Sequence, residues 1–158
     1  MMRFSYVRPD GGVSIVTSAS LADMRQMSQF SAMTAEEHRA HVVARAIPGD
    51  AIDVMELPDD WQPPDRAFRN AWRLNAGTFD IDMTHAREIH RDRLRKLRSP
   101  MLAALDIEMS RAYNRSPAIR DVIEAKRQAL RDVTQDPMID AALTPDELKY
   151  AIPDILKG

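Results

Sequence analysis

Near Thr84 the spacing of apolar residues changes, and that change restricts the chain to a fold made of two unlike parts. Before it, short runs alternate apolar and polar residues between Gly, Pro and Asn, as half-buried strands and their turns require. After it, apolar residues recur at three- and four-residue steps, which places them along one side of a helix. The expected class is α+β: residues 1–83 form a small unit of short β-hairpins with one helix, and residues 84–158 form a helical hairpin or bundle.

Within the first part, residues 3–7 and 13–18 are β-prone and flank Pro9-Asp10-Gly11-Gly12, a turn sequence whose glycines can take positive φ, so a hairpin is expected. Thr34-Ala35-Glu36-Glu37 is a capping-box pattern, and a helix should run from it to about Ala46 and stop at Pro48-Gly49. Residues 51–57 suit another strand, and residues 58–64, with Pro58, Pro63 and Pro64, suit a loop. Residues 68–74 and 78–83 flank Asn75-Ala76-Gly77 as a second hairpin. In its last strand Phe79, Ile81 and Met83 alternate with Asp80 and Asp82, so one face should be buried and the other acidic.

In the second part, Ser99-Pro100, Ser116-Pro117 and Thr144-Pro145 each place a hydroxyl before a proline, the pairing of an N-cap with a first helical residue that needs no amide hydrogen. Asp136-Pro137 is a fourth candidate, and Glu147 completes a capping box with Thr144. The helices expected are about 85–98, 100–113, 117–134, 137–143 and 145–151. Pro100 either breaks or kinks the first pair, because Leu94, Leu97, Met101, Ala104 and Leu105 keep one apolar stripe across it. Ile119, Val122, Ile123, Leu130 and Val133 share a face of the next helix. Only Asn114 and Arg115 join the two rods, so they should fold back antiparallel.

Composition narrows the chemistry. A chain with 44% hydrophobic and 29% charged residues is expected to fold rather than stay disordered. Having no cysteine, it has no disulfide, thiolate nucleophile or thiolate-held metal. No nucleophile elbow or phosphate-binding glycine loop occurs, and only 5 glycines are present. His38 with His41, and His85 with His90, lack any specific ligand spacing, so ordinary, partly exposed histidines are expected and no metal, cofactor or catalytic residue is assigned. Arg3, Ser5 and Arg8 interrupt the first residues too often for a signal-peptide core, and no run approaches the roughly 18 apolar residues of a membrane span. A cytoplasmic protein without membrane association is the expectation.

The net charge of −2 is unevenly spread: −4 over residues 1–83, +4 over 84–115 and −2 over 116–158. In the basic stretch Arg87, Arg91, Arg95 and Arg98 form one stripe of a helix, with Arg93 and Lys96 beside it. Such a row can be a solvated face balanced by Glu88 and Asp92, a grip for nucleic-acid phosphates, or a partner for acidic surfaces such as Asp80 and Asp82, within the chain or between chains. The third reading is preferred, since the run lacks aromatic residues to stack on bases. Met101, Met109 and Met138 suit core or an adaptable surface, and Trp61 and Trp72 are anchor candidates if exposed.

The segment Lys126-Arg127-Gln128-Ala129-Leu130-Arg131-Asp132-Val133-Thr134, preceded by Arg87, Arg91, Asp92, Arg93, Leu94, Leu102, Leu105 and Asp106, resembles the C-terminal part of tailed-phage tail assembly chaperones and related tail-fibre assembly proteins. The resemblance covers residues 84–137; Ile107 and Lys126 stand where that family usually carries aromatics, and Asp136-Pro137-Met138 replaces its closing Gly-aromatic-Pro. It implies a non-catalytic protein that binds a phage tail or tail-fibre component during assembly in the host cytoplasm, and then either leaves or remains in the virion tail. The residues expected to meet that partner are Arg87, Arg91, Leu94, Arg95, Leu97, Arg98, Met101, Arg127, Leu130 and Arg131, with homo-oligomers left open. The alternative is a small nucleic-acid-binding regulator using the basic helix 85–98.

Overall fold

The computed structural model describes residues 1–114 and 116–157. Its contacts divide the chain into two compact units, Met1–Ile81 and Asp82–Gly158. Small antiparallel sheets fill the first and helices the second, an α+β protein.

The first unit is organised by β1 (Arg3–Val7), which pairs antiparallel with β2 (Val13–Thr17) on one side and β3 (Ile52–Leu57) on the other. Phe4 and Ser5 are consecutive and both buried, as expected of a central strand covered on both faces. The β1–β2 turn closes through Gly11, whose φ of 78° is open to glycine without strain. α1 (Leu21–Arg25) and a 3-10 turn at Ser28–Phe30 precede α2 (Ala35–Ala46). The Thr34 hydroxyl accepts the Glu37 amide at 3.2 Å while Glu37 accepts the Thr34 amide at 2.8 Å, the capping box read from sequence. α2 buries Val42 and His38, and its Arg39 lies over the Phe4 ring and pairs with Glu56 of β3.

The second hairpin is shorter than expected. Residues Arg66–Ala71 form 3-10 turns rather than strand, because the Asp65 carboxylate accepts the Ala67 amide at 2.7 Å and starts a turn there. Phe68 and Ala71 are buried. Strand begins only at β4 (Trp72–Asn75), which pairs with β5 (Thr78–Ile81) across the two-residue turn Ala76-Gly77. Both turn residues have positive φ, 48° and 80°, the geometry that matches strand twist in tight hairpins. Asp82 does not extend β5; its carboxylate accepts the His85 amide and caps the next helix.

That helix, α3 (Met83–Ala112), runs unbroken through Pro100, so neither a break nor a new start occurs there. Pro100 removes the donor for the Lys96 carbonyl, but both residues are exposed and solvent can replace it. α4 (Pro117–Asp132) returns antiparallel along α3; of the expected link, Arg115 lies outside the described residues. Ser116 precedes Pro117 without a side-chain cap bond, so the proline alone favours that start. A 3-10 turn (Val133–Gln135), α5 (Pro137–Ala141) and α6 (Pro145–Tyr150) follow, capped by Asp136 and by the Thr144–Glu147 box. Leu94, Ile123, Leu130, Val133, Ile139 and Leu148 are the large buried residues of this unit.

Candidate functional site

The arginine row of α3 is taken up inside the helical unit. Arg87 donates to the carbonyls of Ile139 at 3.3 Å and Ala142 at 2.9 Å, at the end of α5. Arg91 donates to the Thr134 carbonyl at 3.2 Å and to the Asp140 carboxylate at 2.6 Å. Arg98 reaches the Leu130 and Arg131 carbonyls in the last turn of α4. The last carbonyls of a helix have no amide partner of their own and carry the negative end of its dipole, so a guanidinium placed there both satisfies and neutralises them. Arg95 differs, since its ion pair with Asp92 lies on the exposed side.

α4 adds its own arginines. Arg127 bridges Asp106 of α3 at 2.7 Å and Glu124 at 2.6 Å, and Arg131 meets Glu124 at 2.8 Å. The Arg131 hydrogen bond, helped by Arg127, holds the Glu124 carboxyl below its ordinary pKa. Asp80 and Asp82, thought of as complements to the row, do other work: Asp80 accepts the Ile81 amide and Asp82 caps α3. The acidic partners of the row are Asp140, for Arg91, and Asp92, for Arg95, while Asp106 and Glu124 pair with the arginines of α4.

Burial corrects part of the expected binding set. Leu94 and Leu130 are closed within the core, where no partner meets them, and Arg87, Arg91 and Arg98 already hold carbonyls. Leu97 is exposed and Met101 half-buried. Near the hairpin tip the apolar stripe runs out of cover: Ile107 is 55% exposed, Ile119 42% and Val122 56%, and Tyr113 is exposed as well. Ala112, Ala118, Ile119, Val122 and Ile123, with Glu108 and Arg111, line a groove of about 590 Å³. Of the five residues expected on one face of α4, Ile123, Leu130 and Val133 are buried, whereas Ile119 and Val122 are exposed.

Two of the histidines, His41 and His85, are partly exposed as expected, but His38 and His90 are buried, and among the described residues no group of three or more His, Asp or Glu is placed to hold a metal. His90 donates from Nε2 to the Ala151 carbonyl at 2.8 Å, so α3 is tied to the segment after α6. Burial pushes its pKa below the ordinary 6.5 despite that bond, and Arg93 and Arg91 add to the depression. Trp72 is buried and donates to the Asp65 carbonyl, as a core indole does; Trp61 is half-buried, with its ring 5.0 Å from Phe79.

No family model matches the chain, and neither a curated protein nor a solved structure does.

Proposed function

We propose that the protein is a non-catalytic binding protein which docks an apolar helical segment of a phage tail or tail-fibre component onto the tip of its α3–α4 hairpin. The observation that carries the reading is the groove where the exposed Ile119 and Val122 lie with Ala112 and Ala118, an apolar surface on two rods that are otherwise tied together by charged bonds. Burying such a surface under a second chain gains the free energy that water now withholds from it. The resemblance of residues 84–137 to tail assembly chaperones supports a partner of that class. Arg95, on the outer side of α3, is left to steer the encounter by charge. The nucleic-acid reading draws less support, because three arginines of its helix already bind carbonyls.

The test pairs Ile119→Asp with Val122→Asp. Both side chains are exposed, so helix content should be unchanged by circular dichroism while co-purification with the co-expressed tail and tail-fibre proteins is lost. Mass spectrometry of purified virions then separates a released chaperone from a retained component. Unchanged capture by the double variant removes the tip as the docking surface.

A further inference from the structure

We propose that the N-terminal unit contains a binding cleft for a free nucleoside phosphate, formed by four arginines and two tryptophans. The cleft is about 430 Å³, and Arg3, Arg8, Arg66, Arg69, Trp61 and Trp72 line it. That volume suits one small organic ligand. No Asp or Glu is among the lining residues, although the 83-residue segment read as the first unit carries a net charge of −4.

Two of the guanidiniums are fixed in place. Arg3 donates to the Trp61 carbonyl at 2.9 Å, which orients it and leaves its other donors for a ligand. Arg8 is held by Asp10 at 3.2 Å, and Asp10 in turn accepts the Gly12 amide at 2.9 Å. A Cβ on Gly12 would fall 2.1 Å from Arg8 Nη2, so the bare backbone there makes room for the guanidinium. The other two are not engaged: the side chains of Arg66 and Arg69 have no hydrogen-bond or ion-pair partner among the described residues. Asp10 offsets the charge of Arg8, but Arg3, Arg66 and Arg69 have no carboxylate partner among the described residues and repel one another, and an anion placed among them converts that repulsion into charge-assisted, forked hydrogen bonds. Phosphate suits this set better than a carboxylate because it has enough oxygens to engage several guanidiniums at once.

Trp61 extends the recognition beyond phosphate, with the buried Trp72 as part of the cleft wall. The Trp61 ring is half-buried and braced by Phe79, which leaves part of a rigid aromatic surface beside the arginines. A planar base can stack there while its phosphate lies among the guanidiniums. Thr17 and Asn70, also on the lining, offer uncharged donors and acceptors for a sugar. This cleft is independent of the hairpin tip, and either can be right without the other.

Isothermal titration of the full chain with adenosine diphosphate, inorganic pyrophosphate and a short single-stranded oligonucleotide tests it. Adenosine diphosphate should bind best, and pairing Arg66→Ala with Arg69→Ala should weaken it roughly 10- to 100-fold without changing the thermal unfolding midpoint. Trp61→Ala, checked for folding by circular dichroism, should weaken adenosine diphosphate more than pyrophosphate. No binding of the diphosphate, binding undiminished in the double arginine variant, or preference for the oligonucleotide overturns the proposal.

Discussion

The two units use arginine in opposite ways. In the helical unit Arg87, Arg91, Arg98 and Arg127 donate to carbonyls and carboxylates of neighbouring segments, so their charge is consumed in joining α3 to α4, α5 and the turn between them. In the N-terminal unit Arg3, Arg8, Arg66 and Arg69 surround a cleft that no acidic side chain lines. Three of the four regular arginines are scaffolding, while two of the scattered set, Arg66 and Arg69, are left unengaged at the cleft among the described residues. A periodic pattern of charge along a helix therefore says that the side chains share a face, not that the face is free.

Four measurements break or sharpen that contrast, the largest effect first. Leu94→Ala should cost about 2–5 kcal/mol of stability in urea unfolding, because the site is closed and leaves a cavity. Leu97→Ala on the same helix, half in solvent, should change it by less than about 0.5 kcal/mol.

Arg87→Met should cost roughly 1.5–3 kcal/mol, since it strips a charged donor from the carbonyls at the end of α5. Arg66→Met should stay within about 0.5 kcal/mol. Equal losses from the two would erase the distinction between scaffold and site.

Thr144→Ala removes the cap of α6 and should lower stability by about 1 kcal/mol in the same assay. The smallest expected effect is a pH dependence. His90 has a folded pKa below 6.5, so the unfolded chain binds its proton first. Stability from this group is fully present above 6.5 and declines as pH falls toward the depressed folded value. Unfolding midpoints taken downward from neutral pH should show that decline, and His90→Gln should flatten it. A decline of equal slope in the variant would assign it to the carboxylates instead.

Local chemistry made much of the fold legible. Thr34, Asp136 and Thr144 announced three helix starts, and Gly11 and Gly77 marked the two hairpins. The same logic applies to Ser20 and Asp23, whose capping box begins α1, although no proline marks its first position as Pro137 marks that of α5. Pro100 was ambiguous, since a proline after serine reads as a start while the apolar stripe across it reads as one long helix; α3 is continuous, with Leu94 and Ala112 buried on either side. Partner choice for the arginine row was beyond local reading. Arg87 meets residues more than 50 positions away, and only the packing of α5 decides that. The cleft was less legible still, since its arginines run from residue 3 to residue 69 in a segment of net negative charge, and Arg66 and Arg69 reach it from a 3-10 segment rather than from a paired strand.

The sheet of the first unit ends at β3, whose outer rim carries exposed Ile52 and Val54. Between them Asp53 turns to φ 49°, and the β1–β3 register shifts at the same place. An apolar strand edge is a template on which further copies can stack into fibrils. The left-handed Asp53 interrupts that template with a bend and a charge, so the irregular register also serves as a guard against polymer growth.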